Sequence, residues 1–260
     1  MSTNHVDARR TVVITGTSRG IGNHLARCFL ALGYDVVGIS RSGTFIDHPR
    51  FRALSADLAD LDQVKRLSGE LRGEPVVGLI NNAGIHGPIG PFENAPLDGW
   101  VHTFYVNLFG AAALTQACIP ALRQHNGFII FLSGGGASSP RLNFSPYAVS
   151  KSAVVRFSEV LSKELAPAVL VYCVAPGPNR TQLLEEAIRG GEVVPEEEVV
   201  GFGQVERLCV FLAGNRDRRY SGKFIHVKDN YDQWDDRQLA EDAHTLRRMD
   251  ARTLARIKAT

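Results

Sequence analysis

TVVITGTSRGIG, residues 11–22, joins a run of β-branched residues to a glycine-rich turn with no spacer between them. Thr11 to Thr15 has the composition of a strand buried on both faces. Gly16, Gly20 and Gly22 then let the backbone reverse and come close to a ligand. Ser18, Arg19 and Ile21 fill the turn, and the apolar positions that follow have helical period. A strand, a glycine turn and a helix start in this order form a phosphate-binding device. The first N–H groups of a helix lack intrahelical partners, and its dipole favours negative charge there.

Outward from this turn the pattern repeats. DVVGIS (35–40), PVVGLIN (75–81), GFIIFLS (127–133) and AVLVYCVA (168–175) are short apolar runs, and helical period occupies about 21–32, 61–72, 96–123 and 147–165. Such alternation predicts a doubly wound, parallel α/β sheet of the Rossmann type, with helices on both faces. FRAL (51–54) and KFIHV (223–227) bring the sheet to about seven strands. One catalytic domain over 10–227 is expected, with an N-terminal extension at 1–9 and a tail at 228–260. Between about 180 and 203, Gly190, Gly191 and Pro195 interrupt an acidic helical pattern, as expected of a mobile flap beside a cleft. The tail carries Tyr231 and Trp234, then a weakly helical LRRMDARTLARIK. Its aromatic residues are expected to anchor it over a neighbouring subunit or over the chain's own cleft.

Composition bounds the partners. A chain of 260 residues with 44% hydrophobic content can bury one large core. Its 29 Lys and Arg against 27 Asp and Glu leave no broad basic footprint for nucleic acid or an anionic membrane. No apolar run approaches the roughly 18 residues of a membrane span. The start, MSTNHVDARR, has no apolar signal core, so a soluble cytoplasmic protein is expected. Cys28, Cys118, Cys173 and Cys209 form no C-x-x-C pair, so no metal site is expected.

TGTSRGIG (15–22), NNAG (81–84), YAVSK (147–151) and PGPNRT (176–181) stand in chain order. With them the chain resembles the single-domain branch of the short-chain dehydrogenase/reductase family, over about residues 10–227. The resemblance implies a nicotinamide dinucleotide on the glycine turn, with Asp57 and Leu58 near the adenine and Asn82, Ala83 and Gly84 beside the adenosine ribose. It also implies that Pro176 and Gly177 shape the nicotinamide pocket and that Thr181 bonds the carboxamide. Members that use NAD(H) end the second strand with a carboxylate for the ribose hydroxyls. Here Ser40 and Arg41 stand at that place. Arg41 and Arg19 offer planar forks for a 2′-phosphate, so NADP(H) is expected and NAD(H) is the weaker fit.

Tyr147 and Lys151, four apart on a helix, share a face. The resemblance makes Tyr147 the proton donor and acceptor, Lys151 its activator, and Asn107 the holder of a water in a relay toward the lysine. An ammonium about 4 Å from the phenol would supply about 4 kcal/mol at an effective dielectric of 20. That matches the drop of about three units needed for tyrosine to exchange protons near neutrality. One expected residue is missing: the family's substrate-holding serine falls on Gly134, in LSGGGASSP. Ser133 is adjacent, but strand alternation turns it to the other face unless the glycines bulge.

The expected reaction is hydride transfer between NADP(H) and a ketone or secondary alcohol in a homodimer or homotetramer. The alternatives are nicotinamide-dependent epimerisation or dehydration of a sugar-like substrate, and an NADP(H)-binding regulatory protein whose catalysis has lapsed. His86, Arg141, Asn143 and Arg180 are candidates to line a polar substrate cleft.

Overall fold

The computed structural model describes residues 9–240 and 242–246. Seven parallel strands form one sheet in the order β3-β2-β1-β4-β5-β6-β7. They are β1 (Thr11–Thr15), β2 (Asp35–Ser40), β3 (Phe51–Ser55), β4 (Val76–Asn81), β5 (Phe128–Leu132), β6 (Leu170–Ala175) and β7 (Phe224–His226). The inner strands β1, β5 and β6 are buried at every residue, as expected where helices cover both faces. Edge strand β3 is largely half-exposed. The order reverses direction between β1 and β4, and at that switch the strand ends diverge to leave a crevice.

Helices α1 (Gly20–Ala31) and α7 (Phe202–Gly214) cover one face. The other face carries α2 (Leu61–Glu70), α4 (Gly110–Gln124) and α5 (Ser145–Glu164). α3 (Leu97–Phe104) runs into α4 through a wider turn of π-helical bonding at Tyr105–Phe109, and α6 (Gln182–Arg189) follows β6. The joined helix Leu97–Gln124 is long and apolar enough to cross a membrane, contrary to the expectation that no segment qualifies. In the fold it packs on α2, α5 and β4. α7 was not anticipated, because FGQVERLCVFLAG is apolar on most sides and shows little amphipathic contrast.

The described part of the tail packs on its own fold. Trp234 is buried and stacks on Tyr220 at 5.6 Å between ring centroids and on His244 at 4.0 Å. The Tyr220 hydroxyl donates to the Tyr231 carbonyl at 2.6 Å, and the Phe224 N–H of edge strand β7 donates to the His244 carbonyl at 2.8 Å. Trp234 and Leu239 belong to the same core as β6 and α7. The described part of the tail therefore anchors beside β7 on its own fold, with Asp229 bordering the cleft. An open strand edge is a liability that such a cover removes. Most of LRRMDARTLARIK lies outside the described residues.

Candidate active site

The strands' C-terminal ends converge on a cleft of about 1150 Å³. In its nucleotide half, Gly16 and Gly20 have φ of 73° and 58°, and a Cβ on Gly22 would collide with the Gly16 carbonyl. α1 thus begins hard against the turn, with its free amides facing the cleft. Thr15 Oγ1 accepts from the N–H groups of Asn82 and Ala83 at 3.0 Å each, and Asn82 Nδ2 donates to the Thr15 carbonyl at 2.8 Å. Asn82 therefore stitches β4 to β1, with Gly84 following at the cleft wall.

Ser18, Ile21, Ser40 and Leu58 also border this half. The Ser40 hydroxyl meets Thr44 Oγ1 at 3.0 Å, and Thr44 meets Thr17 Oγ1 at 2.7 Å. This chain of hydroxyls ties the loop after β2 to the glycine turn, a role for Thr44 that no motif marks. Arg19 and Arg41 are exposed at the rim, and neither guanidinium has a hydrogen bond or ion pair among the described residues. Asp57 Oδ1 accepts from the Ala59 N–H at 2.9 Å and shapes the turn after β3, while Asp60 caps α2.

Pro176, Gly177 and Thr181 lie where β6 ends, at the centre of the cleft. Thr181 caps α6, accepting from the Leu184 N–H at 3.3 Å and donating to the Asn179 carbonyl at 3.2 Å. Asn179 is buried, and its Oδ1 has no hydrogen-bond partner among the described residues. It is a cleft-lining acceptor. A dinucleotide fits this half: free helix amides for its phosphates, two cations at the rim, and an unpartnered amide oxygen beyond.

Tyr147 and Lys151 are buried at the far end of the cleft. Here burial works against the expected lowering of the phenol. Lys151 Nζ donates to the Leu132 carbonyl at 2.8 Å and lies 5.7 Å from the Tyr147 ring centroid. Burial lowers the Lys151 ammonium to about 8. Burial also pushes the Tyr147 phenol up to about 12, Arg141 opposing the rise and Glu192 adding to it. Helical spacing puts the two residues on one face without setting which oxygen the ammonium selects. The protein alone thus holds Tyr147 protonated.

Asn107 sits in the π-helical turn. Its Oδ1 accepts from the Ile85 N–H at 2.9 Å, and its Nδ2 donates to the Ile85 carbonyl at 3.0 Å and to Ser150 Oγ at 2.9 Å. The amide is therefore a clamp on the loop after β4 that leads to His86, with both of its hydrogens engaged. Ser133 Oγ donates to the Lys151 carbonyl at 3.2 Å, on the helix side. A Cβ on Gly134 would overlap the Tyr147 hydroxyl, so position 134 directly faces the phenol.

His86, Arg141, Glu186 and Glu192 enclose Tyr147 on the substrate side. The His86 ring meets the Tyr147 ring edge-on at 4.7 Å, and the Arg141 guanidinium lies 5.2 Å from the same ring. Arg141 forms a two-pronged ion pair with Glu192, with Nε to Oε1 at 2.8 Å. Asn143 and Arg180 do not line the cleft: Asn143 takes the Gly90 N–H on its carbonyl, and exposed Arg180 pairs with Glu196. Glu186 and Glu192 come from the acidic segment after β6, and sequence spacing offers no signal that they meet His86 and Arg141.

A family model described as short chain dehydrogenase matches residues 10–190. The chain belongs to the short-chain dehydrogenase family. It is 30% identical to an Arabidopsis thaliana NADPH-dependent aldehyde reductase-like protein, over 86% of this chain and 94% of that one. It is 26% identical to the Aspergillus terreus short chain dehydrogenase tazN over 84% of this chain, which spans 51% of that longer protein. Among solved structures, a Beutenbergia cavernae protein described as a putative NAD(P) dependent gluconate 5-dehydrogenase with bound NADP superposes with a TM-score of 0.73. That pair shares 28% identity over 84% of this chain and 94% of the other. The chain is an oxidoreductase of a fold and family that bind a nicotinamide cofactor and act on small molecules.

Proposed function

We propose that this protein is an NADP(H)-dependent carbonyl reductase and secondary alcohol dehydrogenase in which Tyr147 moves the proton. The carrying observation is the placement of a buried phenol at the end of a cleft that fits a dinucleotide, facing the space above Gly134 with Lys151 on the same helix. Bound NADP(H) supplies or takes the hydride. Tyr147 Oη gives its proton to the substrate oxygen during reduction, and a phenol held near 12 suits that acid role. Lys151, lowered to about 8, exchanges its own proton close to neutrality and suits a relay behind the tyrosine. Asn107 acts as a positioning residue by clamping Ile85.

The unpaired Arg19 and Arg41 guanidiniums, with no carboxylate ending β2, support NADP(H) over NAD(H). The NADPH-dependent Arabidopsis relative and the NADP-bound neighbour agree with this reading. Leu97, Val101, Tyr105 and Phe109 repeat every fourth residue as exposed apolar side chains along the α3–α4 helix, which supports a homo-oligomer. The four cysteines are free, in keeping with a reducing cytoplasm.

The rival reading, a cofactor-binding protein without catalysis, draws on Gly134. NADPH oxidation followed at 340 nm with a panel of aldoses, hydroxy ketones, cyclic ketones and quinones decides between them. Turnover that Tyr147→Phe removes is expected. Calorimetric NADPH binding with no turnover of any carbonyl would favour the rival.

A further inference from the structure

His86 is 3% exposed, yet its Nδ1 has no hydrogen-bond partner among the described residues. An unmet polar atom at such depth is costly unless a ligand or water completes it. The facing carboxylate is Glu186, whose Oε2 is 3.9 Å from Nδ1, beyond hydrogen-bond reach. Burial, with Arg141 and Lys151 nearby, lowers the His86 imidazole to about 3, so the pair is a neutral ring facing a carboxylate.

The ring is held firmly where it is. Asn107 fixes both backbone groups of Ile85, and Phe144 and Tyr147 pack edge-on against His86 at 5.2 and 4.7 Å. Both His86 and Glu186 line the cleft beside Tyr147. An oxygen placed about 2.8 Å from each partner spans the 3.9 Å gap with an angle near 90° at the oxygen. The carboxylate can only accept, and the neutral ring can place its one N–H on Nδ1, the nitrogen facing that carboxylate. With the proton on Nδ1, a bridging group must both donate and accept, which a hydroxyl does and a carbonyl, ether or carboxylate does not.

We propose that His86 Nδ1 and Glu186 form a subsite for a substrate hydroxyl on the carbon next to the reacting one, so that the substrate class is an α-hydroxy ketone and the matching vicinal diol. This rests on the oxidoreductase reading for its place beside the reacting carbon, because the His86 ring contacts the Tyr147 ring that carries the proton. Arg141 and Glu192, paired across the same wall, would meet further hydroxyls of a polyol by the same donor and acceptor logic. A site built to bond a hydroxyl rejects the analogue lacking it, because its own polar groups are then left unmet.

The test compares 2-hydroxycyclohexanone with cyclohexanone for NADPH-linked reduction by the full chain, in wild type, His86→Phe and Glu186→Ala. Wild type is expected to favour the hydroxy ketone in kcat/KM by at least about 30-fold, and each variant to shrink that ratio at least about tenfold. A second arm needs no turnover: calorimetric binding of trans-cyclohexane-1,2-diol and of cyclohexanol to the enzyme saturated with NADP⁺. Diol binding tighter than cyclohexanol binding, lost in both variants, supports the subsite even if no ketone is reduced; that result would sink the oxidoreductase reading alone. Equal handling of the paired compounds by wild type in both arms overturns the proposal, as does a preference that survives both substitutions. Loss of NADP⁺ binding in a variant would mark misfolding, and His86→Leu, smaller than phenylalanine and without a donor, then takes its place with the same expected loss of preference.

Discussion

Gly134→Ala adds one methyl group to the chain at the most exacting point in the cleft. The new Cβ would overlap the Tyr147 hydroxyl oxygen and stand 3.2 Å from Cζ and 3.5 Å from Cε1. Nonbonded carbons usually stay about 3.5–4.0 Å apart, so the ring must give by several tenths of an ångström and the hydroxyl by about 1 Å. Gly134 has no positive φ, so the backbone accepts alanine without strain and the effect is confined to the phenol. A displacement of about 1 Å in a reacting group costs up to about 100-fold in rate. Overpacking typically costs about 1–3 kcal/mol, and the open cleft beside Gly134 places this site at the low end. The assay is kcat for NADPH-linked ketone reduction, with thermal unfolding as the control. The expected result is a fall in kcat of about 30- to 100-fold with cofactor affinity unchanged. Ser133→Ala, which removes a hydroxyl bonded to the Lys151 carbonyl on the helix side, should cost less than about tenfold. A Gly134→Ala enzyme within about threefold of wild type would refute the crowding argument, and a collapse of Ser133→Ala would show that Ser133 reaches the substrate.

Two further outcomes follow from the rim and the tail. Arg41→Asp should remove at least tenfold of the preference for NADPH over NADH measured by calorimetry, because a charged hydrogen bond to phosphate contributes about 1.5–3 kcal/mol; an unchanged ratio would exclude Arg41 from phosphate binding. Trp234→Ala should lower unfolding free energy by about 3–5 kcal/mol in denaturant titration, since the indole is buried and stacked between Tyr220 and His244; a change under 1 kcal/mol would mean the tail is not part of the core.

The nucleotide half was legible because its signals are local. A strand run, a glycine turn and a helix start all act within a dozen residues, and there Gly16 and Gly20 take positive φ while Gly22 leaves no room for a Cβ. The substrate half was legible only as residue types. The 147/151 spacing places two side chains on one helix face, but the choice of the Leu132 carbonyl by Lys151 depends on β5, a separate element. The same holds for Asn107, whose clamp on Ile85 joins segments 22 residues apart, and for Arg141 and Glu192, 51 apart. Strand alternation did not settle Ser133, which borders the cleft while its hydroxyl donates to the Lys151 carbonyl on α5. The tail could not be placed, since its anchor is the stacking of Trp234 on Tyr220, a tertiary contact with no periodic trace.

The central claim, that Tyr147 carries the proton of an NADP(H)-linked carbonyl reduction, is tested most directly by Tyr147→Phe, which deletes one hydroxyl while keeping the ring that packs against His86 and Phe144. Steady-state NADPH oxidation and calorimetric NADPH binding should be measured on the same preparation. The account predicts binding within about threefold of wild type and a kcat reduced by about 10²–10⁴, the range for a lost general acid. A Tyr147→Phe enzyme that binds NADPH and keeps most of its turnover would contradict it.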